Sequence, residues 1–234
     1  MTSATIDESQ RKAARVAGFA YLFALPPAIF AEFYVRAQLV VSGDAAQTAR
    51  NIVANERLFR LGTASNLTIF ALDIVMIVAL YVVLMPTHRL LALLAMAWGL
   101  IETATLIAVA LSDFAALRVL SGAEYLNAFE ADRLQALARL SISAHGDAYN
   151  VGLLLAGLRS SVFCYLWFKS RLIPRPLAAW GIAASFLMGA FAFSFVIFPE
   201  LLKVVPVEFY GAPIFFFELT IGFWLVLKGL PPNP

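Results

Sequence analysis

The sequence predicts an all-α protein: an integral membrane bundle of six transmembrane helices, with amphipathic helical segments in the two long outer connections. Three observations carry this. Hydrophobic residues make up 62% of the 234-residue chain and charged residues only 14%, where a soluble domain averages about 45–50% and about 25%. Mean hydropathy is +0.83, and a soluble protein of this size could not cover so much apolar surface with charge. Apolar stretches near the roughly 20 residues needed to cross the hydrocarbon core recur at residues 13–33, 61–85, 90–114, 147–168, 176–198 and 207–227. The chain, 1–234, reads as a single transmembrane domain, and an even number of spans puts both termini on one side.

The first span begins among Arg11, Lys12 and Arg15 and carries Ala28 and Ala31, features a signal peptide also has. Its apolar run exceeds the usual 7–15 residues of an h-region, so it reads as a retained helix. The connection at 43–60 opens with Asp44, an N-cap, and Gln47 three residues on, a capping-box pattern; Ala45, Ala49, Ile52 and Val53 then recur at helical spacing. The connection at 123–142 places Leu126, Phe129, Leu134, Leu137 and Ala138 similarly. Both are expected to lie on the membrane or cap the bundle. In the fifth span Gly181, Ser185 and Gly189 stand at four-residue steps, which lets two helix backbones approach closely. The phenylalanine runs at 191–198 and 215–217 face lipid or fill the bundle.

Orientation follows from Lys and Arg in short connections. Arg11, Lys12, Arg15, Arg89, Lys169, Arg171, Arg175 and Lys228 fall on the N-terminal side, offset by Asp7 and Glu8. Arg50, Arg57, Arg60, Arg118, Arg133 and Arg139 fall on the other, in long segments with matching acids. This predicts cytoplasmic N- and C-termini in the cytoplasmic (inner) membrane. Trp98, Trp167, Trp180 and Trp224 thread to one face, as an interfacial aromatic belt does.

Several classes are excluded. A net charge of +2 without a basic stripe argues against a nucleic-acid partner. The lone Cys164 rules out a disulfide within the chain. His88 and His145 are the two histidines and no H-E-x-x-H occurs, so no metal site is expected; a carboxylate-rich site from Asp73, Glu102, Glu218 and His145 is a weaker alternative. There is no G-x-S-x-G, P-loop or G-x-G-x-x-G, and no mid-helix lysine. No cofactor is expected. The partners expected are the lipid bilayer and a small amphiphilic ligand or a proton; protein partners are not legible.

Four stretches, taken in order, resemble a bacterial membrane family: RKAARVAGFAYL (11–22), GDAAQTARNIVANERLFRLG (43–62), HGDAYNVGLLLAGL (145–158) and FELTIGFWLVLKG (217–229). The family is DUF4386, and the resemblance runs through nearly the whole chain. It implies a multi-span helical membrane protein and supplies no chemistry. Arg159 departs from it, since the resemblance implies a smaller or uncharged polar residue there.

Ionisable groups at bilayer depth cost at least roughly 2.5–3.5 kcal/mol each. Asp73, Glu102, Arg159 and Glu218 stand 11 or 12 residues into their spans, about 17–18 Å along each helix, so four helices bring one ionisable group to the same level. Arg159 cannot lose its proton. The expectation is one Arg–carboxylate pair, with at least one remaining acid protonated at neutral pH. A second, outer polar layer holds Glu32 and Arg36, an i,i+4 pair, together with Asn66, Asp113, His145, Asp147, Tyr149 and Asn150. Glu32, Arg36 and Asp113 are near enough to the interface to snorkel. On a continuous helix, His145, Gly152 and Arg159 form one stripe, and the outer layer becomes the mouth of a cavity. The competing reading is polar glue between helices.

Three functions fit. A small proton-coupled transporter or carrier would use the midplane acids; Glu102 and Glu218 each sit centrally in the third helix of their half, as in an inverted repeat. An intramembrane enzyme acting on a lipid- or quinone-like molecule would use Glu102 or Glu218 as general acid–base and Arg159 to hold an anionic head group. A non-catalytic sensor or partner subunit would need the cluster only for stability. The chain leans toward a non-enzyme.

Overall fold

A computed structural model describes residues 6–41, 44–120 and 130–231. Six helices among them are long and apolar enough to cross a membrane, and no strand occurs among the described residues. The fold class predicted from the sequence is the one found.

The helices run α1 (Glu8–Ala28), α2 (Ala37–Leu39), α3 (Ala45–Ala54), α4 (Glu56–Leu84), α5 (Arg89–Leu120), α6 (Ala131–Ser170), α7 (Arg175–Ile197) and α8 (Val207–Leu227). A π-helical segment, Ile29–Arg36, joins α1 to α2 so that the first span is continuous over Glu8–Leu39. Its cause stands just upstream: Pro26 and Pro27 lie inside α1, and each removes a backbone donor from the i→i−4 ladder. Asp7 and Gln10 form a reciprocal capping box at the start of α1: Gln10 N donates to Asp7 Oδ1 at 2.7 Å and Asp7 N to Gln10 Oε1 at 3.1 Å. Gln10 Nε2 then donates to the carbonyl of Val83 at 3.2 Å, tying α1 to the end of α4. At Asp44 only the forward half of the box forms. Its Oδ1 accepts from Gln47 N at 2.8 Å, while the Gln47 side chain turns to Asn51 and Arg50. Gly229, at φ 67, closes α8 in the left-handed conformation that glycine adopts without strain.

The helices outrun the spans read from hydropathy. The first begins at Glu8 rather than residue 13, the second at Glu56 rather than 61, and the third ends at Leu120 rather than 114. An apolar window measures hydrocarbon thickness, whereas a helix continues as long as its backbone bonds do. The largest difference is at 123–142. Residues 123–129, with Leu126 and Phe129, lie outside those described. Residues from 131 onward are the beginning of α6, which runs unbroken through 40 residues into the fourth span, so no separate segment forms there.

The described residues group into two compact units. The first comprises those within Met1–Ala24, Ala71–Ala104 and Asn150–Pro234, the second those within Leu25–Phe70 and Thr105–Tyr149. The core of the first is built from Ala14, Ala17 and Tyr21 of α1, Ile77 and Leu80 of α4, Phe163 and Trp167 of α6, and Phe217, Ile221 and Leu225 of α8. Trp167 is 1% exposed, so it fills this core rather than standing in an interfacial belt; Trp180, 39% exposed, lies edge-on to Phe217. Phe191 and Phe195 pack on Tyr210 with ring centroids 5.8 and 5.3 Å apart, while Phe193, Phe198 and Phe216 are exposed. The second unit buries Val35, Leu39, Ile52, Phe59 and Leu117 together, and Phe70 with Leu106, Val109 and Ala110. Leu90 and Phe186 are more than 70% exposed, an arrangement suited to lipid.

The small-residue steps of α7 meet a matching glycine. A Cβ at Gly157 on α6 would lie 2.5 Å from Gly189 Cα, 2.8 Å from Gly189 N and 3.0 Å from the Ser185 carbonyl oxygen. All three are backbone atoms and cannot turn aside. Gly157→Ala is therefore expected to cost about 1–3 kcal/mol and to lower the thermal midpoint in detergent. Gly146→Ala on the same helix meets nothing within 4 Å and should leave the midpoint unchanged or raise it. Equal midpoints for the two variants would show that this approach does not hold α6 against α7.

Candidate functional site

Within the first unit, Arg159 of α6 and Glu102 of α5 form an ion pair, 4% and 3% exposed. Arg159 Nη2 donates to Glu102 Oε1 at 3.1 Å. Nε lies 2.6 Å from Oε2, a charge contact out of line for a hydrogen bond, and Nη1 has no acceptor among the described residues. The guanidinium fork is thus only partly used. Helix geometry explains the placement. Gly99 lies three residues before Glu102 on the same face of α5, and a Cβ there would stand 2.5 Å from Arg159 Cδ and 2.7 Å from Ile77 Cδ1. The missing side chain is the space in which the arginine stem lies.

Asp73 of α4 and Glu218 of α8, both half-buried, stand within electrostatic reach of the same guanidinium. Tyr21 of α1 lies within reach of Arg159, Glu218 and Asp73. All four residues expected at the midplane therefore belong to one neighbourhood in one unit, with one guanidinium facing three carboxyls. Among the described residues no group of three or more His, Cys, Asp or Glu stands as a metal ion needs.

The outer layer divides. Glu32, Asn66, His145 and Tyr149 belong to the second unit, Asn150 to the first. Glu32 and Arg36 stand at the limit of pairing, Nε to Oε2 4.0 Å, partly exposed on the π-helical segment. His145 Nδ1 lies 2.8 Å from Asp113 Oδ1, and Thr63 Oγ1 donates to Asp113 Oδ2 at 3.1 Å. The Tyr149 ring stacks on that of His145 at 6.5 Å, and Asn66, one turn beyond Thr63, is buried. Asn150 is half-buried. Asp113, expected to snorkel, is instead 7% exposed, because His145 and Thr63 bind both its oxygens in place. The α6 helix is continuous through His145, Gly152 and Arg159, and all three are buried.

Gly99, Thr63 and Tyr21 were not singled out from the sequence. A glycine, a threonine or a tyrosine in a membrane helix carries no distinctive signal. Thr63 also donates to the carbonyl four residues back, Phe59, at 3.3 Å, as Ser65 and Thr68 do in their own turns, and only the fold shows its second partner. The spacing of Gly99 to Glu102 on one helix face was the available clue.

A family model described as a domain of unknown function, DUF4386, matches residues 16–229, nearly the whole chain. The chain belongs to DUF4386. No curated protein and no solved structure matches it. Asp73, Glu102, Arg159 and Glu218 all lie inside the DUF4386 match, as do Asp113 and His145.

The Gly99 seat makes a quantitative prediction. Gly99→Ala should destabilise the fold by about 1–3 kcal/mol, and its cost should shrink when combined with Arg159→Ala, which removes the nearer of the two clashing groups. A double-mutant cycle in detergent measures this coupling. Additive costs would show that Gly99 and Arg159 do not share that space.

Proposed function

We propose that this chain is a small proton-coupled transporter or carrier of the cytoplasmic (inner) membrane. The observation that carries the reading is the charge balance around Arg159: one guanidinium that cannot be discharged, faced by three carboxyls at a depth where each uncompensated charge is costly. Glu102 meets the arginine directly. Asp73 and Glu218 have no second cation among the neighbours described above, so they are groups that can bind and release protons while Glu102 balances the arginine. That property is what a proton-coupled cycle requires.

The test uses purified protein in proteoliposomes, with an internal pH dye and a potassium diffusion potential as the driving force. Wild type is expected to admit protons, and Asp73→Asn and Glu218→Gln to lose that flux while keeping the wild-type thermal midpoint. Flux that persists in both variants removes the reading. A wild type without flux, whose variants only melt earlier, favours the sensor or partner-subunit reading.

Cytoplasmic N- and C-termini are part of the proposal and rest on the eight Lys and Arg residues of the short connections. In a Cys164→Ser background, a membrane-impermeant maleimide applied to intact spheroplasts should label Ala46→Cys, and should reach Ser3→Cys only after lysis. The reverse pattern would invert the orientation.

A further inference from the structure

We infer that the substrate of this carrier is a monovalent organic oxyanion, a carboxylate or sulfonate group, which competes with Glu102 for Arg159. The inference rests on the carrier reading above and adds what is carried. A guanidinium presents five donors in a planar fork that matches two oxygens of one oxyanion. Here Glu102 engages that fork obliquely: one hydrogen bond from Nη2 at 3.1 Å, and a contact from Nε at 2.6 Å that is out of line. Nη1 is left without an acceptor on a residue only 4% exposed. Glu102 Oε2 is likewise without a hydrogen bond but stands against Nε, so the capacity left over among the described residues is the Nη1 donor, and the ligand that satisfies a buried cationic donor is an anion.

Charge fixes the valence. Arg159 always carries one positive charge and, with Asp73, Glu218 and Tyr21 holding their protons, Glu102 balances it with one negative charge. An arriving anion with one charge takes over that balance. Glu102, released, then takes up a proton from water rather than remain as an uncompensated charge at bilayer depth. The site begins as Arg⁺·Glu⁻ and ends as Arg⁺·anion⁻ beside a neutral Glu102, so the anion and the proton are bound together and the site's net charge does not change. Exchange at one guanidinium couples the two without any further device. A dianion would break the balance and is excluded by it.

The experiment is anion-induced proton uptake by the full chain in a non-ionic detergent, unbuffered, with a pH indicator in solution. The probes are methanesulfonate and 1-octanesulfonate, both ionised throughout the working range, so any proton taken up goes to the protein. Wild type is expected to take up one proton per sulfonate bound, and tetramethylammonium to cause none. Glu102→Gln is expected to bind sulfonate more tightly with uptake lost. If that variant does not fold, Glu102→Asp, with a shorter reach to Arg159, should bind more tightly than wild type and retain uptake. Uptake with octanesulfonate alone supports an amphiphile from the membrane as the source; uptake with methanesulfonate supports a water-soluble organic acid. Failure of both probes to bind overturns the inference, as does binding without uptake in wild type or uptake that survives Glu102→Gln. Voltage-driven proton flux is measured without any sulfonate. Flux without sulfonate binding would therefore leave the carrier reading standing and remove only this one, and sulfonate binding without flux would do the opposite.

Discussion

A guanidinium that cannot give up its proton, buried on a helix long and apolar enough to cross a membrane, is the constraint around which the first unit of this protein is organised. The charge must be met by an anion, the anion must come from another helix, and the stem that carries the charge must have room to reach it. Glu102 on α5 supplies the anion, Gly99 one turn earlier supplies the room, and Ile77 of α4 closes on the same hollow. Two further carboxyls and a tyrosine hydroxyl complete the surroundings. Breaking such a pair by removing one partner is far costlier than never having it, so these positions depend on one another to a degree that neighbouring leucines do not.

The second unit solves a related problem by other means. Asp113 is held by hydrogen bonds. Its two oxygens are shared between an imidazole nitrogen on α6 and a threonine hydroxyl on α4, and the tyrosine one turn along α6 covers the ring. A buried carboxyl is thereby satisfied by hydrogen bonding where Glu102 is satisfied by charge. The two clusters show why composition alone is a poor guide to burial: an aspartate placed near the end of a span can be as enclosed as a glutamate at its centre when its partners stand ready.

Much of this was legible before any coordinates. A fixed rise per residue and a fixed hydrocarbon thickness turn residue number into depth, which is why Asp73, Glu102, Arg159 and Glu218 were expected at one level; the structure brings the four into one neighbourhood. Facing is a different matter. A helix bathed in lipid is apolar all round, so its sequence loses the one-sided pattern that tells which face is inside. That is why Trp167 was assigned to an interfacial belt although it lies in the core, why Asp113 was assigned to the interface, and why Gly99 and Thr63 went unremarked. The reciprocal cap at Asp7 and Gln10 escaped notice while the similar pair at Asp44 and Gln47 was proposed, and only the first closes in both directions. The start of α6 was read as a separate helical segment for a further reason: a more polar stretch of a long helix looks, in hydropathy, like a connection between spans.

The contact of Gly157 with Gly189 bears on how such a molecule can move. Where two helices meet through long side chains, rotamer changes let one slide or roll against the other. Where they meet backbone to backbone, as here, there is nothing between them to flex. Gly18 meets α8 differently, a Cβ there lying 2.9 Å from the Gly222 carbonyl oxygen and as close to the Leu225 and Val226 side chains. The α6–α7 pair is therefore the stiffer part in any conformational change. Arg159 is two residues from the α6–α7 weld, so a displacement of its charge carries both helices with it as one lever.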